Sequence, residues 1–329
     1  MPTIEVRPFR RPDRDQLAAL VNAHAAAVVP GAGVSVATVL SHLERQPGET
    51  IVDPWVAQRV TLVAEQQHAV VAAAHLLRYY ADERAGTSYR GSGDIHWLLF
   101  WPEAPAGNPY RTDATEAAAA LIAACVRQFE EWGVARQDAG GDLPVHGVYG
   151  VPEQWPHIRE LYQRAGFAPA GDTEVVYLAR VDDLPHPGPA PLTGLAARRS
   201  VGMNGTRLSA VLDEQVIGYV EVEVFEDGER QSRHGGWADV GNLYVAGDYR
   251  RRGVATWLLG QAADWLRLAQ VTRLLDYASL ETVPAGPDGQ DGQDGQDGAG
   301  YRAFLAASRF TELTRTRRGW TRNPESPGR

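Results

Sequence analysis

No lysine occurs in this chain, so all 32 of its basic residues are arginines. Cysteine is almost as scarce, with Cys125 alone. A single thiol excludes an intramolecular disulfide and any multi-cysteine metal centre. Cys125 closes the apolar helical run that starts at Ala117, where a buried, inert thiol fits better than a nucleophile. No apolar stretch is long enough to cross a bilayer, and Arg7, Arg10, Arg11 and Arg14 interrupt any hydrophobic leader. The expectation is a cytoplasmic protein with no membrane partner. The basic field that nucleic acid requires is missing too, because the net charge is −9. That acidity serves solubility first and also suits a cationic substrate such as an amine. The histidines are scattered without a His-x-x-x-His pair, so no metal is expected. No Gly-x-Ser-x-Gly elbow marks a serine hydrolase.

What is present is a globular composition, 44% hydrophobic and 22% charged over 329 residues, enough for two ordinary domains. The alternating prolines of Leu184 to Leu192 favour extended, semi-rigid backbone. They divide the chain into a domain over 1–182, a linker over 183–192 and a domain over 193–329. In the first half, strand patterns run over Thr3 to Phe9, Thr61 to Glu65, Ala69 to Tyr80, Asp94 to Trp101, Val145 to Tyr149 and Glu174 to Arg180. Helices are expected from Asp13 to about His24, from Ser35 or Thr38 onward, over Asp113 to Trp132 and over Trp155 to Ala165.

The second half repeats the later part of that order without the first two helices. Strands are expected over Gly194 to Ser200, Arg207 to Leu212, Val216 to Phe225, Ala238 to Val245, Arg273 to Ser279 and Phe310 to Thr321. Helices are expected over Gly253 to Leu268, with a stripe of Val254, Leu258, Ala262, Trp265 and Ala269, and over Gly300 to Ser308. The Asp-Gly-Gln repeat from Asp288 has nothing apolar to bury and reads as a disordered loop.

The segment Leu243-Tyr244-Val245-Ala246-Gly247-Asp248-Tyr249-Arg250-Arg251-Arg252-Gly253-Val254-Ala255 carries the chemistry. An apolar strand ends, three arginines turn the chain, and a helix begins at a glycine with no acidic cap. Helix N-termini present unpaired N–H groups and a positive dipole end to phosphate. Gly253 lets the backbone approach an anion, and the arginines add forked donors. Neither a Walker loop nor a dinucleotide fingerprint fits, since a Gly-Lys-Ser/Thr and the extra glycines are absent. A solvated basic loop capping a helix is the plainer alternative.

The spacing Arg250-x-x-Gly253-x-Ala255 after a Leu-Tyr-Val strand resembles the pyrophosphate loop of the GNAT N-acetyltransferase superfamily. The resemblance covers the second half and, by pattern, the first. It implies an α/β (α+β) fold of two GNAT-like domains, each a mixed, mostly antiparallel twisted sheet with flanking helices. It also implies an acetyl-coenzyme A-dependent N-acetyltransferase acting on a small-molecule amine by direct attack on the thioester. Acetyl-CoA would lie between the strands ending at Val245 and near Ser279. The implied cofactor contacts are Leu243, Tyr244, Val245, Arg250, Arg251, Arg252, Gly253, Val254, Ala255, Thr256 and Ser279. A narrower likeness is to mycothiol synthase-like acetyltransferases. The alternative class is a catalytically silent coenzyme A-binding or regulatory protein; a monomer or homodimer is expected in either case.

A protonated amine must lose a proton before attack. Asp239 stands where several members of the superfamily carry a catalytic Glu, and its strand parity matches Gly241, Leu243 and Val245; an edge carboxylate making turn contacts is the alternative. Glu223, with Glu221, Tyr219 and Phe225, lies on one strand face that suits a cationic substrate or simply water. The superfamily places a tyrosine five residues before the Phe of a Gly-Phe pair, as the acid for the departing thiolate. Here those positions hold Leu305 and Arg309 before Phe310, and Tyr301, one turn earlier, is the candidate substitute or a packing residue. The first half shows the reverse. Tyr162, Gly166 and Phe167 match, but Trp101 to Thr112 lacks the phosphate loop, so that half is read as degenerate. Asp113 and Glu116 have capping-box spacing there.

Overall fold

The computed structural model describes residues 3–44, 53–101, 113–224, 236–280 and 298–323. Phe225, the repeat from Asp288 to Asp297, and Pro102, Pro105, Pro109 and Arg111 lie outside them. The chain divides into two compact units, Met1–Asp172 with Thr316–Arg329, and Thr173–Arg315. The division differs from the proline boundary because two long strands each change unit along their length. β7 (Ala168–Arg180) starts in the first unit and continues in the second, and β13 (Thr311–Arg322) does the reverse.

The first unit runs β1 (Ile4–Pro8), α1 (Arg14–Val28), α2 (Val36–Glu44), β2 (Val56–Gln66), β3 (Ala69–Tyr79), β4 (Ser92–Phe100), α3 (Thr115–Trp132), β5 (Arg136–Ala139), β6 (Val151–Pro152) and α4 (Pro156–Arg164). Its strands order as β1-β2-β3-β4-β5-β13, with β6 beside β13. Among the described residues β4 and β5 are parallel and the other pairs are antiparallel. Parallel neighbours need a crossover, and α3 supplies it.

Three local expectations are corrected, and one open alternative is decided. Val145 to Tyr149 is not a strand, because Gly147 and Gly150 take φ of +80° and +60° and break the extended backbone. The strand lies earlier, at Arg136–Ala139, masked by polar residues whose burial needs a partner. Gln137 is 1% exposed and accepts a bond from Arg322 at 2.6 Å. Asp13 stands at the N-cap of α1, but its side chain makes no cap hydrogen bond. Its carboxylate accepts from Arg7 at 2.7 and 2.9 Å, and the Arg7 hydrogen bond holds its pKa below the usual range despite burial. No capping box forms at α3; Asp113 accepts from the Thr115 N–H at 2.8 Å, and Ala114 is the N-cap. Ser35, rather than Thr38, opens α2, since its Oγ accepts the Thr38 N–H at 3.0 Å.

Burial in this unit holds His24 and His42 down to about 3, and His157 to about 4. Unfolded, each titrates near 6.5. A depressed folded pKa leaves the linked stability intact above about 6.5 and removes it as pH falls toward 3. The melting temperature should therefore drop steadily between pH 7 and pH 4. A flat calorimetric profile over that range would contradict the burial of these rings. His96 moves the other way. Desolvation opposes its charge, but its hydrogen bond to Asp94 and the charge of Asp142 carry its pKa up.

The second unit runs on from β7 through β8 (Ala196–Gly202), β9 (Gly205–Leu212), β10 (Gln215–Val224), β11 (Gly236–Val245), α5 (Val254–Leu268), β12 (Val271–Ser279), α6 (Gly298–Ala307) and the start of β13. Strand order is β7-β12-β11-β10-β9-β8, and among the described residues only β11 and β12 are parallel, joined through α5. Asp213 and Glu214 both take positive φ, +47° and +65°, as a tight β9–β10 hairpin demands. Val254, Leu258 and Ala262 enter one core with Val220, Val222, Ala238 and Leu274. Trp265 is only partly buried, with Arg199 4.3 Å over its ring, and Ala269 is exposed past the helix end.

The proline segment is strapped along α5. Arg267 donates to the carbonyls of Val181 and Leu184 at 2.9 and 2.6 Å. Pro187 lies 3.0 Å from where a Cβ on Gly260 would stand, so the glycine is what admits it.

Candidate functional site

The site grows from the parallel pair in the second unit. The ladder joins Gly236–Asp239 to Val271–Leu275 and ends at the pair Asp239 and Leu275. β11 then continues to Val245 beside β10, while β12 continues to Ser279 beside β7. The two strands therefore part as a fork with Asp239 at its apex, as the cleft expectation requires.

The pairing of β10 with β11 steps between Glu221 and Val222, and Gly241 is the extra residue of this bulge. A Cβ on Gly241 would collide with the Asn204 side chain. Before the bulge Ala238 and Val240 enter the core under α5; after it Leu243 and Val245 do. Asp239 therefore faces away from Leu243 and Val245, and the parity drawn from the sequence is corrected. On its face stands Trp237, under Arg273 at 4.8 Å. Further along are Asn242 and Tyr244; Asn242 donates to the Tyr219 hydroxyl at 3.1 Å, and the Tyr219 and Tyr244 rings are 5.6 Å apart.

Beyond Val245 the chain turns through Gly247–Tyr249, and Arg250 Nε donates to the Val245 carbonyl at 2.9 Å. Arg251 takes φ of +60° and Gly253 +82°. Gly253 is the N-cap of α5, without a side-chain cap or an acidic first turn. The first helical bond runs from the Trp257 N–H to the Gly253 carbonyl. The N–H groups of Val254, Ala255 and Thr256 lie ahead of it, at the positive end of the helix dipole. Arg251, Arg252 and Thr256 are exposed, and Val254 is buried. This end of the helix can seat a phosphate.

The titratable groups separate cleanly. Glu221 is not available to a substrate, because it is 1% exposed and bonded by Arg207 at 2.6 Å and by the N–H groups of Met203 and Asn204, each at 3.2 Å. Glu223 is exposed and stands opposite Asp239 across the strands. Asp239 Oδ1 is buried without a hydrogen-bond partner among the described residues. Burial, then the Glu223 charge, pushes the Asp239 carboxyl up to about 7. Asp276 on β12, unnoticed in the sequence, is 2% exposed and accepts from the Tyr301 hydroxyl at 2.7 Å. Burial is the main reason that it too is pushed up to about 7, with Asp239 adding to the shift. Ser279 closes β12, and Arg302 donates to its carbonyl at 3.4 Å.

Residues 156–284 match the model of the Acetyltransferase (GNAT) family. Over those residues the chain is similar to a GNAT acetyltransferase domain. No curated protein matches the chain in sequence. Among solved structures it is similar to a tandem GNAT protein from the clavulanic acid biosynthesis pathway, at 15% identity over 98% of this chain and 100% of that one, with a TM-score of 0.61. A GCN5-related N-acetyltransferase from Sphaerobacter thermophilus aligns at 14% identity, over 98% of this chain and 97% of that one, with a TM-score of 0.56. A glucosamine N-acetyltransferase region of a fungal multi-domain GH3 β-N-acetylglucosaminidase aligns at 13% identity, over 98% of this chain and 38% of that one, with a TM-score of 0.58. At such identities these likenesses speak for the fold, that of a tandem GNAT protein.

The first unit repeats this fork. β4 pairs in parallel with β5 over Ser92–Ile95, and its pairing with β3 steps between His75 and Leu76, leaving His96 as the extra residue. Asp94 thus stands two residues before the bulge, as Asp239 does. It is spent on His96, whose Nδ1 lies 3.4 Å away. Tyr162, which fits the GNAT acid position, is fully buried and donates to the Gly140 carbonyl at 2.8 Å. The last-helix ends also correspond. Phe167 N–H bonds the Tyr162 carbonyl with Gly166 at φ +84°, and Phe310 N–H bonds the Leu305 carbonyl with Arg309 at φ +71°. Arg309 therefore holds the left-handed backbone that glycine favours, and Leu305, 0% exposed, fills the core in place of a tyrosine.

Proposed function

We propose that the second unit is an acetyl-coenzyme A-dependent N-acetyltransferase that acetylates the amine of a small molecule by direct attack on the thioester. Asp239 carries this reading: a carboxylate held near neutrality, with one oxygen buried and unpartnered, at the apex of a fork whose far end is a phosphate-suited helix terminus. The thioester supplies an acyl carbon and a thiolate leaving group. Arg251, Arg252 and the first N–H groups of α5 hold the pyrophosphate. Leu243, Tyr244 and Val245 offer backbone groups along one arm of the fork, and Ser279 ends the other. An N–H near Val245 steadies the negative oxygen that develops at the acyl carbon. Asp239 takes the proton of the attacking ammonium, directly or through water. Exposed Glu223, on the same face as Asp239, draws the cationic amine. Cys125 takes no part, because it is 0% exposed and burial pushes its thiol far up. No described helix is long and apolar enough to cross a membrane.

One coenzyme A should bind per chain. In the first unit, Asp113 occupies the Thr115 N–H at the start of α3 and places a negative charge where phosphate would sit. A cleft of about 370 Å³ does open there, lined by Thr115, Ile122, Val126, Leu161, Arg164 and Arg322, and it is where a second equivalent would go. Isothermal calorimetry with coenzyme A is expected to give a stoichiometry of one; two would restore the first unit as a binding domain. A panel of amines assayed for free thiol release tests the activity itself. Tight coenzyme A binding with no acceptor in the panel turned over would favour the silent, regulatory alternative, which Leu305 supports.

A further inference from the structure

The fork has two faces, and they carry different proton chemistry. Ala238 and Leu274 are cross-strand partners, and both enter the core beneath α5. The next pair, Asp239 and Leu275, therefore faces the other way. One residue further along β12, Asp276 returns to the face of Leu274 and Ala278, where Tyr301 and Phe304 of α6 also pack. The candidate base lies on one side of the fork, and a buried carboxyl–tyrosine pair lies on the other.

We propose that Asp276 is the proton reservoir behind Tyr301: its carboxylic acid passes a proton to the tyrosine hydroxyl as that hydroxyl gives its own proton to the departing coenzyme A thiolate. The inference rests on the acetyltransferase reading above. In the step, the S–H and a new Tyr301 O–H form, and the original Tyr301 O–H and the Asp276 O–H break. Tyr301 ends neutral, Asp276 ends as carboxylate, and water reprotonates it. The proton that Asp239 removes from the ammonium leaves separately to solvent. Asp276 acts through Tyr301, so it is a positioning and proton-supplying residue.

The geometry supports this division of labour. The Tyr301 hydroxyl donates to Asp276 Oδ2 at 2.7 Å, and the same contact carries a proton the other way once Asp276 holds one and the hydroxyl turns to the thiolate; Asp276 Oδ1 accepts from the Tyr277 N–H at 2.6 Å. The groups around it are Tyr177, its cross-strand partner on β7; Asp239 on β11; Tyr277 beside it; and Tyr301 on α6. None of these is a cation, and Arg302, the nearest basic residue on α6, donates to the Ser279 carbonyl at 3.4 Å instead; the Tyr301 hydroxyl and the Tyr277 N–H favour the charged carboxylate, but burial outweighs them. Burial and Asp276 also push the Tyr301 hydroxyl well above its ordinary range. A tyrosine so placed is a poor acid unless its partner supplies a proton in the same step. A helix one turn out of register thereby recovers the acid function that Leu305 cannot provide.

The test is the pH dependence of kcat in the full chain. Wild type is expected to give a bell, with apparent pKa values that belong to the coupled carboxylates as a pair. The falling alkaline limb reports loss of the Asp276 proton. Asp276→Asn keeps the shape and can still accept the Tyr301 hydrogen bond, but carries no transferable proton. It should lower kcat by roughly 10²-fold, abolish the alkaline limb and leave acetyl-coenzyme A affinity within about 2-fold of wild type. Tyr301→Phe, which leaves Asp276 in place, should also lose that limb. The double variant should be no slower than the slower single one, because both act on one proton. A wild-type profile in either single variant, or multiplying effects in the double, overturns the relay. Failure of wild type itself to release thiol with any amine would instead overturn the acetyltransferase reading.

Discussion

Asp239→Asn is expected to lower kcat by about 10²- to 10⁴-fold, the range of a lost general base, with coenzyme A affinity near wild type. The wild-type kcat/KM should rise with pH through about 7, because the carboxyl there must lose its proton before it can accept one. The position of that limb is itself testable. Glu223 stands opposite Asp239 and raises its pKa through charge. Glu223→Gln should therefore move the limb to lower pH. The same substitution of Asp239 should stabilise the protein. Its folded pKa is raised above the unfolded value, so the linked stability is full below about pH 4 and is lost as pH rises through about 7. The gain in melting temperature for Asp239→Asn should be larger at pH 8 than at pH 4. Loss of activity with gain of stability separates a functional carboxylate from a structural one. Stopped assays and thermal melts on the same variant decide the matter: full turnover would remove Asp239 from the chemistry.

Charge reversal of Arg251 and Arg252 together should weaken coenzyme A binding by about 2 kcal/mol or more, roughly 30-fold in Kd. That exceeds the worth of an exposed ion pair, because both side chains stand at a helix N-terminus whose first turn carries no acidic residue, where their charge adds to the helix dipole. The loss should shrink at high salt as screening weakens the wild-type contact. Arg250 is a different case. Its Nε donates to the Val245 carbonyl at 2.9 Å, so its removal disturbs the turn as well as the charge. Unchanged calorimetric affinity in the double reversal would mean that phosphate is seated elsewhere.

Element order was largely legible in the sequence, because alternation and helical periodicity are local properties that survive whatever they pack against. The turn from Val245 to Val254 was equally plain. Three arginines, a glycine and the absence of an acidic cap specify a phosphate-suited helix end without reference to any other part of the chain. The strand at Arg136–Ala139 escaped, because Gln137 is buried only by virtue of its bond to Arg322, far along the chain.

The candidate site divides along the same line. That an Asp stands on the strand before the arginine turn belongs to the sequence. The face it presents does not. Gly241 becomes a bulge only through its pairing with β10, and one unpaired residue reverses the side of everything before it. Glu221 and Glu223 are equivalent in sequence, yet Arg207 on the neighbouring strand consumes one and leaves the other exposed. Asp276 had no signal at all, since a lone Asp in an apolar strand gains its chemistry from burial and from Tyr301, a partner on another element. The sequence by itself determined the order of elements and the anion-suited turn, both written in contiguous residues. Tertiary structure alone decided which carboxylates are charged, spent or available, because a carboxyl's protonation depends on the water excluded and the charges brought near by strands distant in the chain.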